Sequence, residues 1–222
     1  MLATCCKLAM AQDGADPTFQ LKQFRDTTFN GVSLKFKELS DTEYNSLKAK
    51  IIETEIPLQS ASHLYSKPDS CFLFGLENGK TDSLCNHRQG YYFEEYQIHG
   101  YWKEMSSVLS SYSDWEGGND FFIDLKNGGH YYLSHNYKLS PDSRFIFSFV
   151  DLNELVFVPS ELLLTECGGG TIKTKLKIDL GDLVITDLIW VTKDQCIIST
   201  GVFDIKKFSV NDAHTFMLSI KF

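Results

Sequence analysis

No stretch of about 18 apolar residues occurs in this 222-residue chain, so nothing in it reads as a membrane-spanning helix. No C-x-x-C pair occurs among its six cysteines, which leaves a structural zinc site or a thioredoxin-like dithiol without support. H-E-x-x-H and G-x-S-x-G are also missing, and with them the short signatures of zinc proteases and serine hydrolases. The triplet Gly168-Gly169-Gly170 is not followed by the Lys-Ser/Thr of a phosphate-cradling loop, so it reads as a flexible turn. Cationic residues are in short supply. Lys and Arg number 21 against 29 Asp and Glu, giving a formal charge of −8 and a pI near 5.2. Phosphate recognition relies on clustered Lys and Arg, so nucleic acid is disfavoured; an acidic surface suits a basic partner instead.

What the chain does have is rings. Seventeen Phe and ten Tyr, within 43% hydrophobic residues, are enough for an aromatic core. Residues 21–222 read as a single β-rich domain. Residues 1–20 read as a leader or disordered segment. Ala9-Met10-Ala11 before Gln12 fits signal peptidase, although Lys7 interrupts a short apolar region with no basic segment before it. That favours a periplasmic or secreted protein, with a cytoplasmic one as the alternative. Cys71 and Cys85 flank a predicted hairpin. They are either bridged in an oxidising compartment or buried as free thiols.

Residues 108–150 form the most legible stretch. Glu116-Gly117-Gly118-Asn119 and Lys126-Asn127-Gly128-Gly129 place positive-φ-tolerant residues between apolar runs, which predicts tight hairpin turns. Phe121, Ile123 and Leu125 would share one strand face. Ser140-Pro141-Asp142-Ser143 predicts another turn before Phe145-Ile146-Phe147-Ser148-Phe149. The expectation is one meander of four strands.

Leu139-Ser140-Pro141-Asp142-Ser143-Arg144-Phe145 resembles the L-S-P-D-G turn of WD40-like and TolB-type β-propeller blades, with Ser143 where that family commonly has Gly. Phe122-Ile123-Asp124-Leu125-Lys126-Asn127-Gly128 resembles the I-x-D-x-x-x-G hairpin that closes a blade, and the Trp190–Asp194 segment resembles its W-x-x-D stretch. The spacing is also similar to that of bacterial envelope proteins with propeller-like sheets, a resemblance that implies no particular activity. Lys67-Pro68-Asp69-Ser70-Cys71-Phe72-Leu73-Phe74 is a second near-copy of the turn. It lies too far from the first for one ordinary blade, so it marks either an insertion or a shared turn chemistry. The fold expected is mainly β: antiparallel meanders in a propeller-like or β-sandwich arrangement, with one packed helix near residues 41–54.

That helix opens on Ser40-Asp41-Thr42-Glu43, a capping-box pattern. Tyr44, Leu47, Ile51 and Ile52 recur on one face, and Pro57 bars continuation. Val32 to Lys37 and Tyr91 to Ile98 read as strands. Thr171 to Ile178 alternates cleanly, and its lysines are suited to guarding a sheet edge. A closing hairpin is expected around Asn211-Asp212, with a terminal strand acting as a clasp.

No cofactor or metal is implied. The acidic loop Asp114 to Asp120 departs from the D-x-[DN]-x-[DN]-G calcium pattern. The residues singled out for binding are Trp102, Tyr112, Asp114, Trp115 and Glu116, an aromatic and acidic group at one hairpin tip. Exposed rings favour protein or sugar contact. The functional expectation is a non-catalytic extracytoplasmic protein that binds a protein partner through sheet-end loops. The alternative is an extracytoplasmic hydrolase assembled in space from Asp114, Glu116 and His135.

Overall fold

The computed structural model describes residues 18–20, 25–29, 31–90, 92–115, 117–134, 136–150, 160–204 and 209–221. Three short strands, β1 (Thr18–Gln20), β2 (Thr27–Phe29) and β3 (Val32–Glu38), precede the helix α1 (Asp41–Lys48). Sheet I follows, with β4 (Tyr65–Ser66), β5 (Cys71–Gly75) and β6 (Thr81–Cys85). Sheet II contains β7 (His87–Gln89), β8 (Tyr92–Trp102), β9 (Ser107–Asp114), β10 (Gly118–Asp124) and β11 (His130–Leu133), side by side in that order. Sheet III takes β12 (Asn136–Leu139), β13 (Phe145–Phe149), β14 (Ser160–Gly168) and β15 (Thr171–Gly181), then adds β1 in parallel beside β15. Sheet IV runs β16 (Leu183–Thr192), β17 (Gln195–Asp204), β18 (Ser209–Lys221), β3, β2.

The sheets stack in chain order, because central strands such as β10 and β13 bury both of their faces and successive side chains point opposite ways. Phe121 and Ile123 face sheet I alongside Phe72 and Phe74, while Phe122 between them faces sheet III with Leu139 and Ile146. Phe145, Phe147 and Phe149 face sheet IV, where the Phe147 ring stacks on Trp190 with centroids 5.5 Å apart. Each fully buried ring of this kind stabilises the fold by about 1.5–3 kcal/mol relative to an exposed one.

Two bulges correct the alternation where the sequence would otherwise turn the wrong residue inward. His99 is the extra residue between the pairs Ile98↔Ser110 and Gly100↔Leu109. As a result, Ile98 and Tyr101 share one face despite their odd spacing. Lys175 does the same in β15, so Ile172 faces sheet II and Leu176 faces sheet IV.

The result is a mainly antiparallel β protein with one helix packed on it, and its sheets are open. The propeller reading therefore fails. A closed propeller packs its last blade on its first, and its blades typically hold four strands. Here the sheets hold three, five, five and five strands. Hydrophobic clusters join sheet I to II, II to III and III to IV. Among the described residues no such cluster joins IV back to I. Neither WD40-like nor TolB-type repeat architecture describes this arrangement.

The stretch 108–150 is not one meander either. It holds five strands: β9 to β11 end sheet II, and β12 and β13 begin sheet III. The two Pro-Asp-Ser segments also differ. In the first, Asp69 takes a positive φ of 52° and Cys71 N–H bonds the Pro68 carbonyl; in the second, the positive φ of 59° falls on Ser143, whose N–H bonds the Ser140 carbonyl. The shared sequence therefore gives neither a shared turn geometry nor a repeat.

Other expectations change in detail. Residues 18–20 belong to sheet III, so the fold reaches into the segment assigned to a leader. The helix stops at Lys48, before Ile51 and Ile52, because Ile52 N–H is taken by the Trp190 carbonyl at 3.0 Å. Its capping box forms as predicted, and Tyr44 and Leu47 are only half-buried. β15 is an interior strand, and its lysines pair across strands instead of guarding an edge: Lys175 with Glu166 at 2.8 Å, Lys177 with Glu161 at 2.5 Å. Asn211 and Asp212 lie inside β18, which clasps β3 and so joins the C-terminal strand to an N-terminal one. Gly169 and Gly170, both at positive φ, make a tight hairpin turn, tied to sheet II by the Lys126 ammonium, which donates to the Gly170 carbonyl.

Candidate functional site: the uncovered end of sheet II

Sheet I has only three short strands, and sheet II is larger. On the face of sheet II toward sheet I, Val108, Phe121 and Ile123 are covered, whereas Tyr96, Ile98 and Tyr112 are partly buried. Past them, β8 and β9 run on to the tip of the sheet. Their register places two rows in succession, and a ring contact follows beyond them. Tyr96 lies opposite Tyr112, with ring centroids 5.3 Å apart. Next, Glu94 lies opposite Asp114. At the end, Tyr92 and Trp115 meet edge to face, with centroids 6.2 Å apart. These last two are the most exposed large hydrophobic side chains among the described residues, at 69% and 61%.

Local chemistry builds this tip. Asp114 accepts the Gly117 N–H at 3.0 Å through one carboxylate oxygen and the Tyr112 hydroxyl through the other, while its own N–H bonds the Gly117 carbonyl. Gly118 has no side chain because a Cβ there would run into the Tyr112 carbonyl. Burial, and then the Asp114 hydrogen bond and charge, hold the Tyr112 phenol well above its ordinary pKa. Tyr96 is pushed up to about 12 by burial, then by Glu94, Tyr132 and Asp114. Both phenols therefore stay neutral, and the formal charge of these rows rests on the carboxylates.

The sequence-selected residues divide. Tyr112, Asp114 and Trp115 come together at the tip. Trp102 does not: its indole is 2% exposed, packed on Phe122 between sheets II and III. Glu116 lies outside the described residues, as does His135. Tyr92 was missed. Its one signal was its place at the start of a strand whose register opposite Asp114 depends on the His99 bulge.

Other polar groups join layers. His130 Nε2 lies 2.6 Å from Asp82 Oδ2, connecting sheets I and II, and its ring stacks on Phe121. Burial pushes the Asp82 carboxyl up, but the His130 hydrogen bond and charge and the Ser83 N–H outweigh it and leave it below the ordinary value. Cys71 and Cys85 are disulfide-bonded across β5 and β6. Asn86 N–H donates to the Ser70 carbonyl beside them, so the cysteines sit at a close, non-hydrogen-bonded pair of the ladder. Cys167 and Cys196 are buried free thiols that burial pushes up, Cys167 to about 12, which leaves both unreactive. Comparison of the chain with known protein families, curated proteins and solved structures found no match.

Proposed function

We propose that this protein binds a protein partner outside the cytoplasm, through the uncovered end of sheet II. The observation that carries the reading is the exposed Tyr92–Trp115 pair. Tyr and Trp offer large, rigid contact area and are enriched among residues that dominate interface energies. Burying two such rings on an edge-to-face pair is favourable for association, and a sheet end held by the Asp114 turn needs little ordering to receive a partner. The Cys71–Cys85 bridge supports an oxidising compartment, where such bonds persist.

The test is affinity capture from an extract of the native organism with wild type and a Tyr92→Ala/Trp115→Ala double variant. Both residues are exposed, so the variant should fold. A partner retained by wild type should bind the variant about 30-fold or more weakly, the loss typical of a hot-spot pair. Equal retention by both proteins would refute the reading.

A further inference from the structure

The Cys71–Cys85 bridge lies on the outer face of sheet I. Phe72, Phe74 and Leu84 pack toward sheet II with Val108, Phe121 and Ile123, so strand alternation turns Cys71, Leu73, Ser83 and Cys85 the other way. Both cysteines are only half-buried, and sheet I ends the stack, which leaves the sulfurs open to attack by a thiolate.

The bridge is also directly connected to the support of the exposed rings. Cys85 ends β6, and Asn86 follows it. The Asn86 N–H donates to the Ser70 carbonyl, and its side-chain oxygen accepts the Tyr96 N–H of β8, both at 2.9 Å. β7 begins at the next residue and pairs with β8 as His87↔Glu94, Arg88↔Phe93 and Gln89↔Tyr92. His87, Arg88 and Gln89 are all exposed, so no buried side chain holds β7 in place. A short edge strand with so little burial opens readily unless an end is fixed. Cys85 and Asn86 fix one end. Gln89, at the other, lies opposite Tyr92, whose ring meets Trp115.

We infer that the Cys71–Cys85 bridge is a redox latch on the binding end of sheet II: closed, it orders β7 and Tyr92; opened by a dithiol protein, it releases them and weakens partner binding. This rests on the binding role proposed above and adds its regulation. A thiolate of the reductant attacks one bridge sulfur, the S–S bond breaks, and the other cysteine leaves as a thiolate that takes up a proton. The reductant's second thiol then displaces the first cysteine from the mixed disulfide. The reductant departs oxidised to a disulfide, and Cys71 and Cys85 remain as two thiols. Sheet I keeps Phe72 and Phe74 on sheet II and the Asp82–His130 contact, so the release runs through Asn86 into β7 and does not unfold the stack.

Dithiothreitol, a small dithiol, serves as the probe, with amide exchange of the intact protein as the readout. Alkylation should show Cys71 and Cys85 reduced while the protein stays folded. Exchange across residues 86–95 should then rise about tenfold or more, while β17, inside sheet IV, stays within about twofold. Cys71→Ser/Cys85→Ser should exchange at the faster rate with or without dithiothreitol. A bridge that resists dithiothreitol until the protein unfolds, unchanged exchange at 86–95, or an equal rise in β17 would overturn the inference. Capture from the native extract with reduced, alkylated protein should retain the partner about tenfold less well than the oxidised form. The two claims fail separately. If capture depends on Tyr92 and Trp115 but is equal in both redox states, the binding surface stands and the latch falls. If capture ignores Tyr92 and Trp115, the binding reading falls, and exchange at 86–95 still decides whether the bridge orders β7.

Discussion

Asp124 and Asp82 are two carboxylates with structural tasks. Asp124 is 1% exposed at the end of β10, where its oxygens accept the Lys126 N–H and the Asn127 side-chain amide, both at 2.8 Å, and so close the turn into β11 from within. Asp82 reaches His130 across sheets, and its pKa is depressed in the folded protein. A depressed carboxyl stabilises the fold above its unfolded pKa, and that contribution disappears as pH falls through the folded value. Asp82→Asn should therefore cost about 1–3 kcal/mol in urea unfolding near pH 7, with the gap to wild type narrowing at acid pH below the ordinary carboxylate range. An equal gap at both pH values would show that the ion pair is not its source. At this scale the sequence was partly legible. Asn127-Gly128 marked the turn that Asp124 closes, because turn chemistry is local. Nothing local distinguishes Trp102 from Trp115: one is buried between sheets II and III, and the other stands exposed just past the end of β9.

Hairpins were the easiest elements to read. Asn127-Gly128 and Gly117-Gly118 both reverse the chain where their residue types predict. Face assignment was harder, because single extra residues at His99 and Lys175 exchange inside for outside and leave no mark in the alternation. The helix was legible at its capped start and not at its end, where a tertiary bond to Trp190 replaces the next helical turn. Sheet I is the smallest of the four sheets, and its disulfide closes a loop of sequence separation 14. Replacing both cysteines by serine should lower stability by about 3 kcal/mol. Amide exchange should rise first in β5 and β6 and then at the face of sheet II they cover. Uniform exchange across the molecule would mean that the bridge does not hold this layer specifically.

For the whole molecule, four sheets are stacked in chain order and held at one end by the pairing of β18 with β3. Repeated turns and aromatic strands suggested such sheets but could not show whether they close into a ring, because closure depends on the first and last layers meeting. Among the described residues they do not share a core, and the smallest layer sits at one end of the stack. Tyr92 at the start of β8 and Trp115 just past β9 stand exposed together at one end of sheet II. The central claim is that this exposed end is where a partner sits. A photo-crosslinking residue placed at position 115, with the same residue at the exposed position 53 for comparison, tests it inside the native cell. The account predicts a covalent partner adduct from 115 and none from 53; no adduct from 115, or the same adduct from both, would contradict it.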